Sequence, residues 1–214
     1  MSLRAEAVTA GYGDAPVLRD VTLTVDPGRI VGLTGPSGTG KTTLGRVLAG
    51  LVPAQAGEVT CDGVPVRLRR MSGRIAMLFQ SPRRSCSPRM RLRQIIAEPL
   101  DITRVPSGER DRRVETLAAS VGLTSDLLDR LPGQVSDGQL QRAALARALA
   151  ADPAYLICDE ATAMLDAATT ASLVAVIRER AAAGLGVLAI SHDHALLRAW
   201  ADDTVDLRHL ATTS

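Results

Sequence analysis

The sequence GPSGTGKT, residues 35–42, matches the phosphate-loop pattern G-x-x-x-x-G-K-[ST] at every defined position. RIVGLTG before it predicts a buried strand, and KTTLGRVLAGL predicts a helix. The glycines allow backbone N–H groups to converge on phosphate oxygens. Lys41 supplies a positive charge for the β- and γ-phosphates, and the Thr42 hydroxyl can bind Mg²⁺. The alternative interpretation is a glycine-rich turn with an incidental lysine, but the flanking strand and helix favour phosphate binding.

Two acidic residues end the apolar stretch YLICDE, residues 155–160. Asp159 has the position of an acid that holds Mg²⁺ through its water shell opposite a phosphate loop. Glu160 follows it, where a carboxylate can polarise a water that attacks the γ-phosphate. The alternative is a solvated acidic pair at a turn or helix start. The phosphate loop elsewhere in the chain favours the catalytic interpretation, and hydrolysis over phosphoryl transfer.

The stretch SDGQLQRAALARALA, residues 136–150, predicts a second phosphate cradle. Ser136 and Gln139 have the spacing of a capping box at a helix start, and Gly138 leaves the backbone bare between them. The N-terminus of a helix attracts anions through its free N–H groups and its dipole. This segment is therefore predicted to begin a helix and to be able to contact an anion.

His192 directly follows the apolar strand GVLAIS. Ligands bind beyond the carboxyl ends of strands in open α/β sheets, so His192 could contact the γ-phosphate or orient Glu160. The alternative is a histidine with a structural role. His194 and His209 lack such a position and are predicted to be surface residues.

The remaining chain alternates between strand and helix patterns. Val17, Val21, Leu23 and Val25 share one parity and predict a half-buried strand over 17–25. Further strands are predicted at 57–66 (a hairpin), 74–79, 154–160, 186–191 and near 207. Helices are predicted at 107–122, 124–130, 138–151, 167–183 and from 193, after a proline-punctuated, arginine-rich stretch with Pro82, Pro88 and Pro99. This order predicts an α/β fold with a mostly parallel sheet, helices on both faces and an inserted helical segment.

Composition limits the class of protein. A chain of 214 residues with 46% hydrophobic and 22% charged residues is a folded globular protein with one sizeable domain. The net charge of +2 gives no argument for nucleic acid. Cys61, Cys86 and Cys158 have neither paired nor metal-ligand spacing and are predicted to be reduced thiols of a cytosolic protein. No signal core or membrane span is evident, so another chain would supply any spans.

Taken in order, these motifs resemble those of the nucleotide-binding subunit of ABC transporters over nearly the whole chain. Tyr12 in GYG matches the adenine-stacking aromatic residue, and Gln80 matches the Q-loop. VSDGQ (135–139) matches the family's signature segment, and Asp166 in AMLD matches its D-loop. The resemblance implies a single ABC ATPase domain over 1–214. Its nucleotide-binding core, a P-loop NTPase core with an N-terminal antiparallel β subdomain, would span 1–79 and 150–214, and its α-helical subdomain 80–149.

The resemblance also implies the site. ATP and Mg²⁺ are the expected ligands, with each ATP lying between the phosphate loop of one subunit and the signature segment of another. The expected catalytic residues are Glu160, His192, Gln80 and Lys41, and the expected metal-binding residues are Thr42, Gln80 and Asp159. The expected nucleotide-binding residues are Tyr12, Gly35, Pro36, Ser37, Gly38, Thr39, Gly40, Lys41, Thr42, Thr43, Ser136, Gly138, Gln139 and Asp166.

Two positions depart from the family pattern. Ala161 stands where the family usually has Pro, and Asp137 stands where it usually has Gly in the signature segment. A carboxylate beside a bound triphosphate would repel it. We therefore expect Asp137 to point away from the nucleotide and to stabilise the positive end of its own helix.

The stretch LFQSPRRSCSPRMRLRQIIAEPL, residues 78–100, is similar to the region after the Q-loop in importers of the oligopeptide, dipeptide and nickel group. In that group it docks on a membrane subunit, and Arg83, Arg84, Arg89, Arg91 and Arg93 could serve this docking or form a solvated basic face. The implied partners are a second ATPase subunit (in a homo- or heterodimer), permease subunits and, indirectly, a solute-binding protein, with no nucleic acid. The implied location is cytoplasmic, on the inner face of the cell membrane through the permease.

The leading functional hypothesis is thus an ATPase motor of an importer for peptide, nickel or a similar solute. One alternative is an ABC-type ATPase outside transport, for example an accessory ATPase of an enzyme complex such as carbon–phosphorus lyase. Another is a small-molecule kinase with the same phosphate loop, which the signature segment and Glu160 argue against. The sequence does not name the solute.

Overall fold

A computed structural model of the chain describes residues 1–13, 15–68 and 73–210. In chain order the strands are β1 (Leu3–Tyr12), β2 (Ala15–Val25), β3 (Ile30–Thr34), β4 (Ala56–Cys61), β5 (Val64–Pro65), β6 (Ile75–Leu78), β7 (Tyr155–Asp159), β8 (Gly186–Ile190) and β9 (Asp203–Asp206). The α-helices are α1 (Lys41–Leu48), α2 (Pro82–Ser85), α3 (Leu92–Ile102), α4 (Ser107–Ser120), α5 (Asp137–Ala150), α6 (Ala167–Ala182) and α7 (His194–Trp200). No described helix is long and apolar enough to span a bilayer.

A five-stranded sheet in the order β6-β7-β8-β3-β9 carries the phosphate loop. The pairs β3–β8, β3–β9 and β7–β8 are parallel. Every residue of β3, β7 and β8 is buried, as expected for parallel strands covered on both faces. The predicted α/β class with a mostly parallel sheet is confirmed. The carboxyl ends of these strands place Thr34, Asp159 and Ile190 along one edge.

A second sheet, in the order β2-β1-β4-β5, is antiparallel and confirms the predicted N-terminal β part. The predicted burial of Val17 is wrong, because Leu18 is buried in its place while Val17 is exposed. Between the pairs Val8↔Val21 and Ala10↔Leu18, β2 contains one residue more than β1. This β-bulge, with Asp20 at a φ of 50°, reverses the inward parity of β2 before residue 20.

The sequence interpretation missed two helices of the inserted segment, the short α2 and the longer α3. Residues 92–102 form α3 although Pro99 lies inside it. An internal proline costs a helix about 3 kcal/mol. Burial of Leu92, Ile95, Ile96 and Leu100 outweighs that cost, since each buried side chain contributes about 1.5–3 kcal/mol. Conversely, the helix predicted at 124–130 is only a short 3₁₀ turn over Ser125–Leu127.

The chain forms two compact units. The first contains the described residues within 1–77, 154–160 and 178–210, and the second contains residues 78–153 and 161–177. Tyr12, the phosphate loop, Asp159, Glu160 and His192 belong to the first unit. The predicted subdomain boundaries after residues 79 and 149 stay a prediction. Cys61, Cys86 and Cys158 are buried and unpaired, as expected of reduced thiols.

Candidate active site

The phosphate loop connects β3 to α1 through residues with conformations that favour glycine. Gly35, Gly38 and Gly40 have φ angles of 140°, 80° and 103°. At Gly40, the residue before α1, an added Cβ would lie 2.6 Å from Leu18 Cδ2. Side chains at these positions would strain the backbone or clash. The loop therefore keeps its backbone N–H groups bare at the start of a helix, which is the geometry of an anion cradle.

Lys41 is folded back over this loop. Its Nζ donates hydrogen bonds to Gly35 O at 2.7 Å and Pro36 O at 2.8 Å, and only 7% of the residue is exposed. Thr39 Oγ1 also donates to Pro36 O, at 2.9 Å. An ammonium group has three N–H donors, so these two carbonyls use two of them. The charge of Lys41 is thereby fixed at the mouth of the loop.

Thr42 and Asp159 bring two oxygen ligands together. Thr42 Oγ1, at the start of α1, donates a 2.9 Å hydrogen bond to Asp159 Oδ1 at the end of β7. Burial raises the pKa of the Asp159 carboxyl, and the bond from Thr42 partly offsets this increase. Hydroxyl and carboxylate oxygens are suited to Mg²⁺. A buried carboxylate of this kind is stabilised by a nearby cation.

Glu160 and His192 lie at the same edge of the sheet. The Glu160 backbone N donates to Ile190 O at 2.9 Å, and Glu160 adopts a left-handed conformation with a φ of 48°. His192 Nδ1 lies 3.4 Å from Glu160 Oε1. The histidine side chain is 63% exposed, whereas that of Glu160 is 24% exposed. His192 can therefore contact both the carboxylate and a ligand.

A cavity of about 330 Å³ opens in front of the loop. It is lined by Val17, Ser37, Gly38, Gly40, Lys41, Thr42, Thr43 and Glu160. The first unit thus brings the predicted lysine, the threonines and the predicted base around one space. Tyr12, at the end of β1, is 56% exposed, and its hydroxyl accepts a 2.9 Å hydrogen bond from Arg46 Nη1. Arg46 was not predicted as a site residue.

In the second unit, the capping box at the signature segment is confirmed. Ser136 Oγ accepts a hydrogen bond from Gln139 N at 3.2 Å, and Gln139 Oε1 accepts one from Ser136 N at 3.0 Å. A Cβ on Gly138 would lie 2.9 Å from Thr169 Cγ2, so any larger residue there would have to displace the Thr169 side chain. The Asp137 carboxylate is bound to Arg83.

Asp166 and Gln80 also belong to the second unit. Asp166 caps the start of α6, accepting hydrogen bonds from Thr169 N at 2.8 Å and Thr169 Oγ1 at 2.7 Å. These bonds hold the pKa of the Asp166 carboxyl below its ordinary value. Gln80 follows β6 and precedes α2. The roles of both residues towards nucleotide or metal stay predictions.

Sequence reasoning missed Gln141. It is fully buried in α5, and its Nε2 donates to Phe79 O at 3.1 Å and Ala161 O at 2.9 Å. Phe79 precedes Gln80, and Ala161 follows Glu160 in the chain. The available signal was a polar residue in a mostly apolar stretch. Between Leu140 and Ala146, Gln141 and Arg142 are the two polar residues.

Three of the arginines expected on a docking face bind within the second unit. Arg83 pairs with Asp137, Arg93 forms two hydrogen bonds with the Asp129 carboxylate, and Arg91 donates to the Asp129 carbonyl. The side chains of Arg84 and Arg89 are exposed and make no hydrogen bond or ion pair within residues 1–13, 15–68 and 73–210. Docking by this segment stays a prediction.

A glycine loop between a parallel strand and a helix, facing an acidic strand end, defines the class of phosphate-loop nucleoside-triphosphate-binding proteins. The model of the ABC transporter family matches residues 18–163. The chain belongs to the ABC transporter family.

Several known proteins are similar to the chain. A peptide import ATP-binding protein of Brucella abortus (strain 2308) is 40% identical over 188 residues, covering 84% of this chain and 56% of that protein. The methionine import ATP-binding protein MetN of Brucella suis biovar 1 (strain 1330) is 39% identical over 205 residues, 92% of this chain and 55% of that protein. The nickel import ATP-binding protein NikE of the same strain is 38% identical over 193 residues, 86% and 73% respectively. The chain thus spans little more than half the length of the first two relatives.

Among solved structures, the ATP-binding cassette MJ0796 is similar to the whole fold. The match, to a dimeric post-hydrolysis state bound to ADP and phosphate, has a TM-score of 0.86 and 26% sequence identity. It covers 96% of this chain and 94% of that one. The predicted P-loop NTPase fold is confirmed by this match.

Proposed function

We propose that the chain is the ATP-binding and hydrolysing motor subunit of an importer for peptide, nickel or a similar solute. The observation that carries this proposal is the cluster of Lys41, Thr42 and Glu160 around one cavity, with Asp159 bonded to Thr42. The names of the relatives, which are all import ATP-binding proteins, support the importer role. These names refer to different solutes, so the proposed solute class is broad.

The residues present fit Mg²⁺ and a nucleoside triphosphate. The bare loop over residues 35–40 fits phosphate oxygens, because a Cβ at Gly40 would clash. Thr42 Oγ1 and Asp159 Oδ1 are already 2.9 Å apart and would hold the metal, Asp159 through a bound water, with Gln80 as a further ligand. When bound, Mg²⁺ bridges phosphate oxygens and neutralises the charge that develops on them.

The chemistry falls to three side chains. Lys41 would donate its remaining N–H to the β- and γ-phosphates, because its other donors are held by the loop carbonyls. Glu160 would accept a proton from the water that attacks the γ-phosphate. His192, 3.4 Å from Glu160 Oε1, would orient that carboxylate and contact the γ-phosphate. Tyr12, with its hydroxyl held by Arg46, would stack on adenine.

Assembly would complete the site. We propose that Ser136, Gly138 and Gln139 of one subunit receive the γ-phosphate held by the phosphate loop of another, with Asp166 near the same nucleotide. The dimeric form of the similar cassette supports this arrangement. ATP would close such a dimer and hydrolysis would reopen it, since the γ-phosphate contacts exist only in the closed state. The subunit would act at the inner face of the membrane, bound to permease subunits.

The experiment uses purified Glu160→Gln, in which hydrolysis is blocked. We expect a dimer by light scattering only when both ATP and Mg²⁺ are present. Lys41→Met added to this variant should abolish both ATP binding and dimer formation, whereas Glu179→Gln alone, on the exposed face of α6, should leave hydrolysis intact.

Two outcomes separate the parts of this proposal. Absence of ATP binding and of hydrolysis by the unaltered chain would refute the motor function. A Glu160→Gln chain that binds ATP but stays monomeric would refute self-association and indicate that a different ATPase subunit is the partner.

A further inference from the structure

Arg83 and Asp137 join two parts of the second unit that are 54 residues apart in the sequence. Arg83 lies in α2, and Asp137 is the first residue of α5. Arg83 Nε donates to Asp137 Oδ1 at 2.5 Å. Asp137 occupies the signature segment between Ser136 and Gly138, which are proposed above to contact a terminal phosphate. The only negative side chain of that segment is thus paired with a guanidinium.

The same guanidinium also holds the chain that leads into the signature segment. Arg83 Nη1 donates to Pro132 O at 3.0 Å, and Nη2 donates to Val135 O at 3.1 Å. All three nitrogens therefore bind residues within one short stretch, 132–137. A planar guanidinium can make such a set of contacts from a single rigid group, which a lysine cannot.

The pairing is needed because the negative charge of Asp137 would repel a phosphate at the signature segment. A carboxylate in the first turn stabilises its own helix, but it opposes an anion that approaches the same N-terminus. With an effective dielectric constant near 20 and a separation of roughly 10 Å, one unit of negative charge weakens the binding of another by about tenfold. A positive charge beside Asp137 removes most of that penalty. Asp137 was expected to point away from the nucleotide, and the structure gives its carboxylate a specific partner in Arg83.

We propose that Arg83 is a positioning residue, which neutralises Asp137 and holds the approach to α5 so that the signature segment can receive the terminal phosphate of ATP. This inference rests on the proposed function. It also separates Arg83 from Arg84 and Arg89, whose side chains make no hydrogen bond or ion pair in the described part of the chain. The Arg83 and Asp137 side chains are each 46% exposed, so their pair contributes little to the stability of the fold.

The experiment measures the ATP concentration at half-maximal dimer formation, in Mg²⁺, for five chains that all carry Glu160→Gln. One has no further change, and the others add Arg83→Gln, Asp137→Asn, both of these, or Arg84→Gln. We expect Arg83→Gln to raise this concentration about tenfold. Asp137→Asn should restore the Arg83→Gln chain to within about threefold of the parent, because the unpaired charge is gone. Arg84→Gln, the neighbouring arginine in α2, should change nothing.

Two readouts distinguish positioning from a general structural role. Binding of a fluorescent ATP analogue to the monomer should be equal in all five chains, since Arg83 lies outside the phosphate loop. The chains with Arg83→Gln should melt only slightly lower than the parent, because the Arg83–Asp137 pair is exposed and the further loss is limited to the bonds to the Pro132 and Val135 carbonyls. If Arg83→Gln does not fold, Arg83→Lys tests the charge role alone, because it keeps the positive charge but not the planar set of donors to the Pro132 and Val135 carbonyls. It should stay within about threefold of the parent, and a rise of about tenfold or more would refute neutralisation of Asp137 as the main role of Arg83.

Three results would overturn the inference. The first is an Arg83→Gln chain that dimerises like the parent, and the second is a double variant no better than Arg83→Gln alone. Either would refute the charge role of Arg83 while the parent still dimerises, so the proposed function would survive. The third is a parent that binds ATP and never associates, which would refute self-association and, with it, the role of Arg83 in a dimer of this chain with itself.

Discussion

The Thr42 hydroxyl and the Asp159 carboxylate are 117 residues apart in the sequence, yet they are joined by a hydrogen bond of 2.9 Å. One is the second residue of α1 and the other is the last residue of β7. The parallel sheet therefore sets the hydroxyl and the carboxylate, the two proposed metal ligands, side by side. A site that is already assembled loses little conformational entropy when it binds its ligand.

Asp159→Asn should lower the affinity for Mg²⁺ more than the affinity for nucleotide. The amide keeps the shape of the side chain but removes the negative charge, and an outer ligand of this kind is worth about 10- to 100-fold in metal affinity. The measurement is hydrolysis rate against Mg²⁺ concentration at fixed ATP. Asp126→Asn, an exposed carboxylate outside the site, is the control. An unchanged Mg²⁺ dependence in Asp159→Asn would refute this role.

Glu160→Gln should lower the single-turnover rate of hydrolysis by about 10²–10⁴-fold, the usual contribution of a general base. His192→Ala should lower it less, because His192 is 3.4 Å from the Glu160 carboxylate and acts on it. If His192 works only through Glu160, the double variant should be no slower than Glu160→Gln. His194→Ala, on an exposed residue two positions later, is the control. Additive effects of the two changes would show an independent contact of His192 with the phosphate.

Gln141→Leu should destabilise the second unit. The substitution leaves the buried Ala161 carbonyl and the part-buried Phe79 carbonyl without their donor, at about 1–3 kcal/mol for a fully buried group. Urea unfolding measures the loss, and Gln55→Leu, an exposed glutamine, should cost far less. A loss below that of Gln55→Leu would mean that these carbonyls find other donors.

Asp62 should govern part of the acid stability of the first unit. It accepts a 2.7 Å hydrogen bond from the Tyr155 hydroxyl and pairs with Arg74. These contacts, the Tyr155 bond first, hold the pKa of the Asp62 carboxyl below its ordinary value of 3.8. The folded-state pKa is thus lower than the unfolded-state pKa, so the ionised carboxylate stabilises the fold fully at pH values above the unfolded-state pKa. This stability is lost as the pH falls through the folded-state pKa.

The measurement for Asp62 is the free energy of unfolding in urea between about pH 6 and pH 2. The unaltered chain should lose stability more steeply below about pH 4 than Asp62→Asn does. At neutral pH, Asp62→Asn should be less stable by about 1–2 kcal/mol. Parallel curves for the two chains would contradict the prediction.

Local patterns allowed much of the site to be predicted. The phosphate loop, the acidic end of β7 and the capping box of α5 each depend on residues within a few positions of one another. Their glycine conformations and cap bonds are properties of short segments, so the sequence alone carries them. The alternation of strands and helices similarly indicates a parallel sheet.

The features that escaped prediction depend on distant partners. Pro99 argues against α3, and only burial against other elements outweighs it. The bulge that turns Val17 outward arises from the register of β2 against β1. Gln141 binds carbonyls 62 and 20 residues away, and Arg83 meets Asp137 across 54 residues. The pattern of apolar residues within one segment carries no information about contacts with such distant residues.

The pairing of β7 with β8 fixes the distance between Glu160 and His192. Asp159 is aligned with Ile190, and the Glu160 amide is bonded to the Ile190 carbonyl, so the spacing of Glu160 from His192 is counted in strand residues. A single-residue deletion inside β8 would move His192 by about 3.3 Å and turn it to the opposite face. Engineers who shorten or lengthen this protein should therefore leave the residue count of 186–192 untouched. The same count shows whether a divergent or recombined chain keeps Glu160 and His192 at this spacing.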